Sequence, residues 1–335
     1  MNRVAKWDNA KAVLIFCVVL GHFVAAYQDD AAVYRSVFIF LYLFHMPGFF
    51  LISGLFSKRF ANADRLEGRK FVPLIVLCLV GIFLRFLSRV IFTKASIKVF
   101  DMSGASWFLF TLAVCYLLTW LVHKIDVVYV LVVSIMTGCI VCYDKTLSSY
   151  FAVYRIVTFF PFFYLGYILD EQKFRNALDR LPVRLISAAG VLIFAFLCWK
   201  HPGVWRFKKL ITGANHYYTM KFPITAWTWV YKILYYAAAL IAVLAVLSIV
   251  PSRKVPLMTA VGGKTLTIFL LHFFFIEICK RIPWFKAIAL GQHHVPALLL
   301  FAGTSLLVVL FLSIPVFSIP FQWILHPKER KERQS

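Results

Sequence analysis

Ten apolar runs divide this chain, and their lengths constrain its fold more than any other feature of the sequence. The chain is 62% hydrophobic with a mean hydropathy of +0.82 over 335 residues, far above the values typical of soluble globular domains. About 20 apolar residues suffice to cross a bilayer as a helix. The predicted spans lie near 10–27, 35–56, 71–92, 106–122, 127–142, 153–169, 183–199, 229–250, 258–279 and 295–318. We predict an all-α polytopic membrane bundle that forms a single domain over residues 1–335.

The distribution of basic residues predicts which side of the membrane holds the termini. An even number of crossings places both termini on the same side. Lys and Arg accumulate in cytoplasmic loops, and the basic segments 57–70 and HPKERKERQS both fall on that side if the termini are cytoplasmic. No short apolar stretch ends in a small-residue cleavage site, so we expect no cleaved signal peptide. We expect a multi-pass protein of a bacterial cell membrane, in contact with membrane lipids.

The net charge of +22 suggests anionic partners such as lipid headgroups, a phosphorylated donor or acidic glycans. The basic residues are scattered between spans rather than gathered in one soluble domain, so we predict no nucleic-acid partner. The seven cysteines fall in apolar segments, where a free thiol packs as a small hydrophobe. Cys139 and Cys142 form a close pair without a matching second pair, and we predict no metal site and no bound cofactor.

The first span carries ionisable side chains on one face. Lys11 and His22 lie eleven residues apart, and eleven steps of about 100° come to roughly three turns, so both side chains share that face. At a rise of about 1.5 Å per residue, roughly 16 Å separates them along the axis. Asp8 precedes Lys11 by three residues and lies near the same face. Because ionisable groups are costly inside a membrane, we predict that this stripe is functional.

Two further histidines fall within predicted spans, His45 in the second and His272 in the ninth. Imidazoles at similar depth can converge on one cavity, where a neutral imidazole can accept a proton from an alcohol nucleophile. The alternative for each is a hydrogen bond between helices. Pro47 and Gly48 follow His45 in FHMPGFFLISG and predict a break or kink there. Ser53 offers either a close-packing surface or a hydroxyl near the cytoplasmic end.

Basic residues at the predicted cytoplasmic surface are candidates for binding a phosphorylated donor. Arg65, Arg69 and Lys70 precede the third span. The simpler interpretation is that these positive charges anchor the span at the cytoplasmic surface. The more specific one is that they bind phosphate, for which guanidinium groups are suited.

Other charged residues lie further along the chain. Arg85 is deep in the third span and needs a partner or water. Glu277 and Arg281 stand four residues apart and can pair with each other. The segment 200–228 is basic and aromatic. Its rings can stack on sugar faces, but Trp and Tyr also populate membrane interfaces, and this second interpretation is the simpler one.

Several motifs, taken together and in order, resemble the acyltransferase 3 family of integral membrane acyltransferases, and within it the fucose 4-O-acetylase-like branch. Lys11 and His22 fit that family's Arg/Lys-x10-His motif. The other matching segments are Trp7-Asp8, FHMPGFFLISG (44–54), the basic residues before Pro73, WFLFTL (107–112) and VGGKTLTIFLLH (261–272). The matches run from residue 7 to residue 272, and ten spans suit the family.

The resemblance implies transfer of an acyl group, usually acetyl, from cytoplasmic acyl-CoA to a hydroxyl of a cell-surface or lipid-linked carbohydrate. His22 corresponds to the essential histidine of the motif, and we expect it to act as general base. We expect Asp8 to hold Lys11 in place. The expected donor-binding residues are Lys11, Arg65, Arg69 and Lys70. The expected cavity or acceptor residues are His45, Ser53, Arg85, Trp107, His272 and Glu277.

The basic run departs from the family pattern. Arg65 and Arg69 lie four residues apart rather than at the Arg-x-x-Arg spacing common in relatives, which leaves open which basic residue binds the donor. We expect no additional soluble acyl-handling domain after the spans, and so a stand-alone membrane module. Direct transfer and a covalent acyl-enzyme on histidine or serine both stay open, as do succinyl or longer acyl groups and the oligomeric state.

The rival interpretation is a transporter that exports a glycan or a lipid-linked intermediate. Ten spans, a basic interior and an aromatic outer loop suit this class. The sequence shows no internal repeat of the kind that many transporters carry, and transport does not explain the Lys-x10-His stripe. We therefore predict an acyl-CoA-dependent O-acyltransferase.

Overall fold

The fold is built from α-helices, which are the predicted spans and the short segments that join them. A computed structural model describes residues 4–66, 68–92, 104–147, 151–220 and 223–325, and contains no strand among them. The helices are α1 Ala5–Ala26, α2 Ala32–Leu55, α3 Lys58–Ala61, α4 Gly68–Phe92, α5 Ser106–Val122, α6 Val127–Ile140, α7 Val153–Ile168, α8 Glu171–Leu178, α9 Leu181–Lys200, α10 Lys208–Ile211, α11 Trp229–Ile249, α12 Pro256–Gly262, α13 Thr265–Cys279, α14 Pro283–Leu290, α15 His294–Leu312 and α16 Pro315–Leu325. The predicted all-α class is confirmed.

Helices occupy all ten predicted spans. Six of the described helices, α1, α2, α4, α9, α11 and α15, are long and apolar enough to cross a membrane, and the number rises to eight if two bent helix pairs each count as one span. Those pairs are α7 with α8, bent by 100°, and α12 with α13, bent by 84°. The apolar helices α5 and α6 are shorter. The polytopic helical bundle is therefore confirmed, while the count of ten crossings stays a prediction.

The first helix lies among the others rather than at the edge of the bundle. It contacts α2, α12, α13 and α15. We call the end of the bundle at which α1 begins the inner end, because the sequence predicts a cytoplasmic N-terminus, and the opposite end the outer end. Residues 56–66, 169–180 and 250–255 follow helices that run toward the inner end, whereas residues 27–31, 201–220 and 280–293 lie at the outer end.

A buried polar network holds the inner end of α1. The Lys6 ammonium group is fully buried and lies 2.6 Å from the Asp179 carboxylate. The Asn9 side-chain amide donates to the carbonyl groups of Pro251 and Arg253, each at 2.9 Å. Thr259 of α12 donates its hydroxyl proton to the Asn9 amide oxygen at 2.8 Å. These bonds satisfy polar groups that would otherwise be costly to bury, and they join α1 to segments far along the chain.

Glycine allows α2 and α7 to cross at backbone distance. A Cβ atom on Gly54 would overlap with the carbonyl oxygen of Phe163, and one on Gly166 would overlap with that of Leu51. Small residues at helix crossings let backbones approach closely, which is a main source of packing between membrane helices. The predicted close-packing surface beside Ser53 is therefore the α2–α7 interface.

The second helix does not break after His45. It continues through Pro47 and Gly48 as one helix from Ala32 to Leu55. A Cβ on Gly48 would lie 3.1 Å from a methyl group of Leu14, so this part of α2 packs closely against α1. Of the predicted break or kink, the break is wrong, because contacts with α1 and α7 hold the helix together where one backbone hydrogen bond is missing. The kink stays a prediction.

The basic and aromatic segment 200–228 has two parts with different surroundings. Trp227 is exposed, as expected for a belt at a membrane interface, and so is Trp229 just after the segment. Residues 202–211 instead form a short 3-10 helix and α10, which pack on α2. The Tyr217 hydroxyl donates to the buried Cys139 carbonyl at 3.0 Å. The belt interpretation therefore covers only the later part of this segment.

We expect Gly54→Ala to lower the unfolding temperature of the detergent-solubilised protein, because the added methyl group must push the α2 and α7 backbones apart. Overpacking of this kind costs about 1–3 kcal/mol. Gly190→Ala is the matched control, since Gly190 lies within α9 with no atom within 4 Å of the added methyl group. An equal effect of both substitutions on the melting temperature would contradict this account of the crossing.

We expect Asp179→Asn to destabilise the protein more than Lys6→Met does. The asparagine variant leaves a fully buried ammonium group without its carboxylate, and such a loss costs about 3–5 kcal/mol. The methionine variant leaves Asp179, whose side chain is 27% exposed and can be hydrated. Thermal unfolding of both variants and of the double variant measures the difference, and the reverse order would contradict the assignment.

The same ion pair predicts a dependence of stability on pH. Partial burial raises the pKa of the Asp179 carboxyl, but hydrogen bonds from Lys6 and Ser252 outweigh this effect, and the pKa lies below its ordinary value. Because this pKa is lower in the folded state, the ionised carboxylate stabilises the fold at pH values above the unfolded-state pKa. This stability is lost as pH falls through the folded-state pKa. We expect the unfolding temperature of the Asp179→Asn variant to decrease less than that of the wild type as pH is lowered through this range.

Candidate functional site

The stripe on α1 runs along the walls of three cavities. Between Lys11 and His22, the residues of α1 that line these cavities are Lys11, Ile15, Val18 and His22. They follow one another at intervals of four, three and four positions, which is the spacing of one helix face. Lys11 lines both the inner and the middle cavity, and Phe269 of α13 lines both the middle and the outer one. The cavities therefore succeed one another along α1 from the inner toward the outer end.

The inner cavity is charged and has a volume of about 510 Å³. The Lys11 ammonium group lies 2.7 Å from the Asp8 carboxylate, as the stripe predicts, and keeps 29% of its side chain exposed. Lys58 and Arg59 of α3 add two more cations to the wall. The other lining residues are Val4, Trp7, Leu55, Phe56, Leu169, Asp170 and Glu171. The cations make this cavity suitable for an anionic group that enters from the inner side.

Two carboxylates of the inner cavity are held by hydrogen bonds of their own. The Trp7 indole donates to Glu171 at 2.6 Å. Asp170 caps the N-terminus of α8, and the backbone N–H of Lys173 lowers the pKa of this carboxyl below its ordinary value. No ion pair with Lys58 or Arg59 is found among the described residues, although the charge of Lys58 contributes to the lowered pKa of Asp170.

The middle cavity is narrow and largely apolar, with a volume of about 210 Å³. Ser53 lines it together with Thr265, and the remaining wall is formed mainly by aromatic and aliphatic side chains of α2, α4, α5 and α13. The break between α12 and α13 positions part of this wall. A Cβ on Gly262 would overlap with the Asp8 carbonyl oxygen, so only glycine lets α12 approach α1 this closely.

The outer cavity has a volume of about 400 Å³ and contains two of the three predicted histidines. His22 and His45 line it, and so does Trp107 of α5, as the resemblance implies. Aromatic rings form a large part of the wall. The other lining residues that carry polar or charged groups are Gln28, Tyr42, Arg155, Lys208, Lys209, Thr212 and Asn215.

The three histidines lie close together, although they come from three helices. The ring centres of His22 and His272 are 5.0 Å apart, and Tyr42 lies between His22 and His45, with centre distances of 6.3 and 4.7 Å. His45 Nδ1 lies 2.7 Å from the Leu41 carbonyl oxygen, and His272 Nδ1 lies 3.0 Å from that of Ile268. A carbonyl oxygen only accepts, so Nδ1 is the donor in both rings and Nε2 of the neutral ring is left as an acceptor.

Some predicted site residues are not among the lining residues of these three cavities. Glu277 pairs with Lys280 at 3.4 Å and with Arg281 at 3.1 Å, which is the simple pairing that their spacing allows. Arg85 lies over the Phe273 ring at 5.5 Å, and its Nε atom is buried without a hydrogen-bond partner among the described residues. Arg65 is exposed beyond α3. The side chains of Arg69 and Lys70 fall outside the described part of the structure.

Sequence reasoning missed the cations of the outer cavity. The Arg155 guanidinium lies 4.3 Å from the Trp107 ring centre. Lys208 lies over the Trp205 ring at 4.6 Å, and Lys209 lines the same cavity. In the sequence, Arg155 is a basic residue near the start of the sixth predicted span, and Lys208 and Lys209 are adjacent lysines in segment 200–228. Neither spacing indicates that these residues meet His22, because they lie on different elements.

Comparisons with known proteins give the same assignment as the motifs. A family model for acyltransferase 3, described as an acyltransferase domain, matches residues 4–321. Nodulation protein NolL of Sinorhizobium fredii (strain NBRC 101917 / NGR234) is 26% identical over 216 residues, which cover 59% of this chain and 58% of that protein. No solved structure matches the chain. The family match spans all three cavities, and the chain is a multi-pass membrane protein that belongs to the acyltransferase 3 family.

Proposed function

We propose that the protein transfers an acyl group from cytoplasmic acyl-CoA to a hydroxyl of a carbohydrate at the outer face of a bacterial cell membrane. Acetyl is the acyl group that we propose. The observation that carries this proposal is the series of three cavities along one face of α1. A cationic inner cavity, a smaller and largely apolar middle cavity and a histidine-lined outer cavity follow one another along this face. This arrangement suits a donor with a charged head and a long, thin arm.

The donor would bind with its phosphates at the inner cavity. Lys11, Lys58 and Arg59 supply the cations, and Asp8 orients Lys11. The pantetheine arm would pass through the middle cavity, whose described wall carries no charged side chain other than Lys11. The thioester would then reach the vicinity of His22, roughly 16 Å from Lys11 along the axis of α1.

His22 would act as general base for direct transfer. As the acceptor hydroxyl oxygen attacks the thioester carbonyl carbon, a nitrogen of His22 takes the hydroxyl proton. Collapse of the tetrahedral intermediate breaks the carbon–sulfur bond, and the coenzyme A thiolate leaves and takes the proton back from His22. The products are an O-acyl carbohydrate and free coenzyme A thiol. His272 packs against His22 at 5.0 Å between ring centres and fixes its position.

We expect His22→Ala to abolish thiol release and acyl transfer, because no other group then takes the acceptor proton at that position. General-base catalysis contributes roughly 10²–10⁴-fold to a rate. The purified protein is assayed with acetyl-CoA and a carbohydrate acceptor, and the melting temperature of each variant reports its folding. Phe16→Leu, on another part of the same helix, is the matched control. Transfer near the wild-type rate in a folded His22→Ala protein would remove His22 as the base.

We expect the double variant Lys58→Gln/Arg59→Gln to raise the KM for acetyl-CoA roughly tenfold with a smaller change in kcat, because charge-assisted bonds to the donor phosphates are lost far from the reacting atoms. Lys173→Gln is the matched control, since Lys173 is exposed at the same end of the bundle and lines none of the three cavities. An unchanged KM in the double variant would place the donor elsewhere.

Thiol release also separates this proposal from glycan export. An exporter does not consume acetyl-CoA, whereas the proposed enzyme forms one thiol for each acyl group transferred. Trapping a labelled acyl-protein in the absence of acceptor would show a covalent intermediate instead of direct transfer.

A further inference from the structure

An aromatic ring is exposed within the charged wall of the inner cavity. Phe56 is 40% exposed, whereas Trp7, the other aromatic residue in the described lining, is 2% exposed. The cations Lys58 and Arg59 follow Phe56 within three positions and line the same wall. An open aromatic face beside cations suits a ligand in which an aromatic ring system carries phosphate groups.

Hydrogen bonds on both sides fix the connection between α2 and α3 that carries Phe56. Ser57 is fully buried, and its hydroxyl donates to the Gly54 carbonyl oxygen at 2.7 Å. Just after α3, the Asn62 side-chain oxygen accepts a hydrogen bond from the Tyr167 hydroxyl at 2.7 Å. The ring and the two cations that follow it are therefore presented by a backbone that is anchored on α2 and α7.

Trp7 supports the Phe56 ring from one side. The two rings make an edge-on contact, with their centres 6.4 Å apart and their planes at 78°. Trp7 is itself held by stacking on Phe174 at 5.8 Å and by the bond of its indole N–H to Glu171. Aromatic pairs in such arrangements gain stability beyond the area that they bury. Phe56 therefore packs on a fixed ring while a large part of its own surface stays open.

The same wall contains hydrogen-bond acceptors and encloses a space of suitable size. Asp170 and Glu171 lie at the bend between α7 and α8 and line the cavity with Phe56. A carboxylate accepts several hydrogen bonds, and the exocyclic amino group of adenine is a donor. The volume of about 510 Å³ lies in the range of small-molecule sites, about 300–1,000 Å³. A membrane anchor would use the ring alone, whereas a nucleotide uses the ring, the cations and the acceptors.

We propose that Phe56 stacks on the purine base of the acyl donor, so that the enzyme selects acyl-CoA over donors that have the same arm without a nucleotide. The inference rests on the proposed function, since it assigns donor recognition in that reaction to a residue. Phosphopantetheine, the arm on which carrier proteins hold acyl groups, has one phosphate and no base. It can reach Lys58 and Arg59 but has no group to place on Phe56.

The test measures binding rather than turnover. Isothermal titration of the purified full-length protein gives dissociation constants for coenzyme A, for phosphopantetheine and for adenosine bisphosphate, which is the nucleotide part alone. We expect coenzyme A to bind roughly tenfold or more tightly than phosphopantetheine, because only coenzyme A has a base to stack. We also expect adenosine bisphosphate to compete with coenzyme A for the same site.

Variants of Phe56 then locate the preference. Phe56→Ala should weaken the binding of coenzyme A and of adenosine bisphosphate roughly tenfold and leave that of phosphopantetheine unchanged. Phe56→Trp keeps an aromatic face and should bind as the wild type does, whereas Phe56→Leu keeps only an apolar side chain and should behave as Phe56→Ala. Leu66→Ala is the matched control, because Leu66 is exposed at the same end of the bundle and is not among the lining residues of the three cavities. The melting temperature of each variant reports its folding.

Three results would overturn the inference. The first is equal binding of coenzyme A and phosphopantetheine by the wild type. The second is a folded Phe56→Ala or Phe56→Leu protein that binds coenzyme A as tightly as the wild type does. The third is a loss of phosphopantetheine binding in Phe56→Ala as large as the loss of coenzyme A binding, which would assign the ring to the shape of the cavity. Failure of the proposed function is distinguishable, because coenzyme A would then bind to none of these proteins.

Discussion

The position of α1 depends on the polar contacts of its first two turns, and the candidate site depends on the position of α1. Helices in a membrane gain little from hydrophobic association, so close packing and polar bonds determine how they sit against one another. The Lys6–Asp179 ion pair and the bonds of Asn9 fix both the height and the rotation of α1. A shift by one residue would turn each side chain by about 100° and move His22 away from its cavity.

The three cavities divide the chemistry of the proposed reaction between two sides of the membrane. Charged groups line the inner and outer cavities, where the proposed donor and acceptor would enter, and the largely apolar middle cavity lies between them. Only the acyl group and the arm that carries it need to pass through the narrow part. The bulky and charged portions of both substrates can therefore stay at their own ends of the bundle.

The sequence predicts well what lies within one helix and less well what different helices bring together. Periodicity places Lys11 and His22 on one face, and spacing indicates the Glu277–Arg281 pair. The meeting of His22 with His272 joins residues 250 positions apart, and the similar depth of the histidines in their spans suggests it only as an expectation. No pattern predicts Arg155 and Lys208 in the same cavity, because a cation stacked on an aromatic ring leaves no trace in spacing. The continuity of α2 through Pro47 likewise depends on packing against other helices.

The buried network at the start of α1 also sets an order for assembly during synthesis. The first span enters the membrane long before its partners exist, since Asp179 follows Lys6 by 173 residues, and Thr259 follows Asn9 by 250. Until α8 and α12 have been made, Lys6 and Asn9 have to be hydrated at the membrane surface. Helix α1 is made well before α8 and α12, yet its buried polar contacts form only after both of these helices exist.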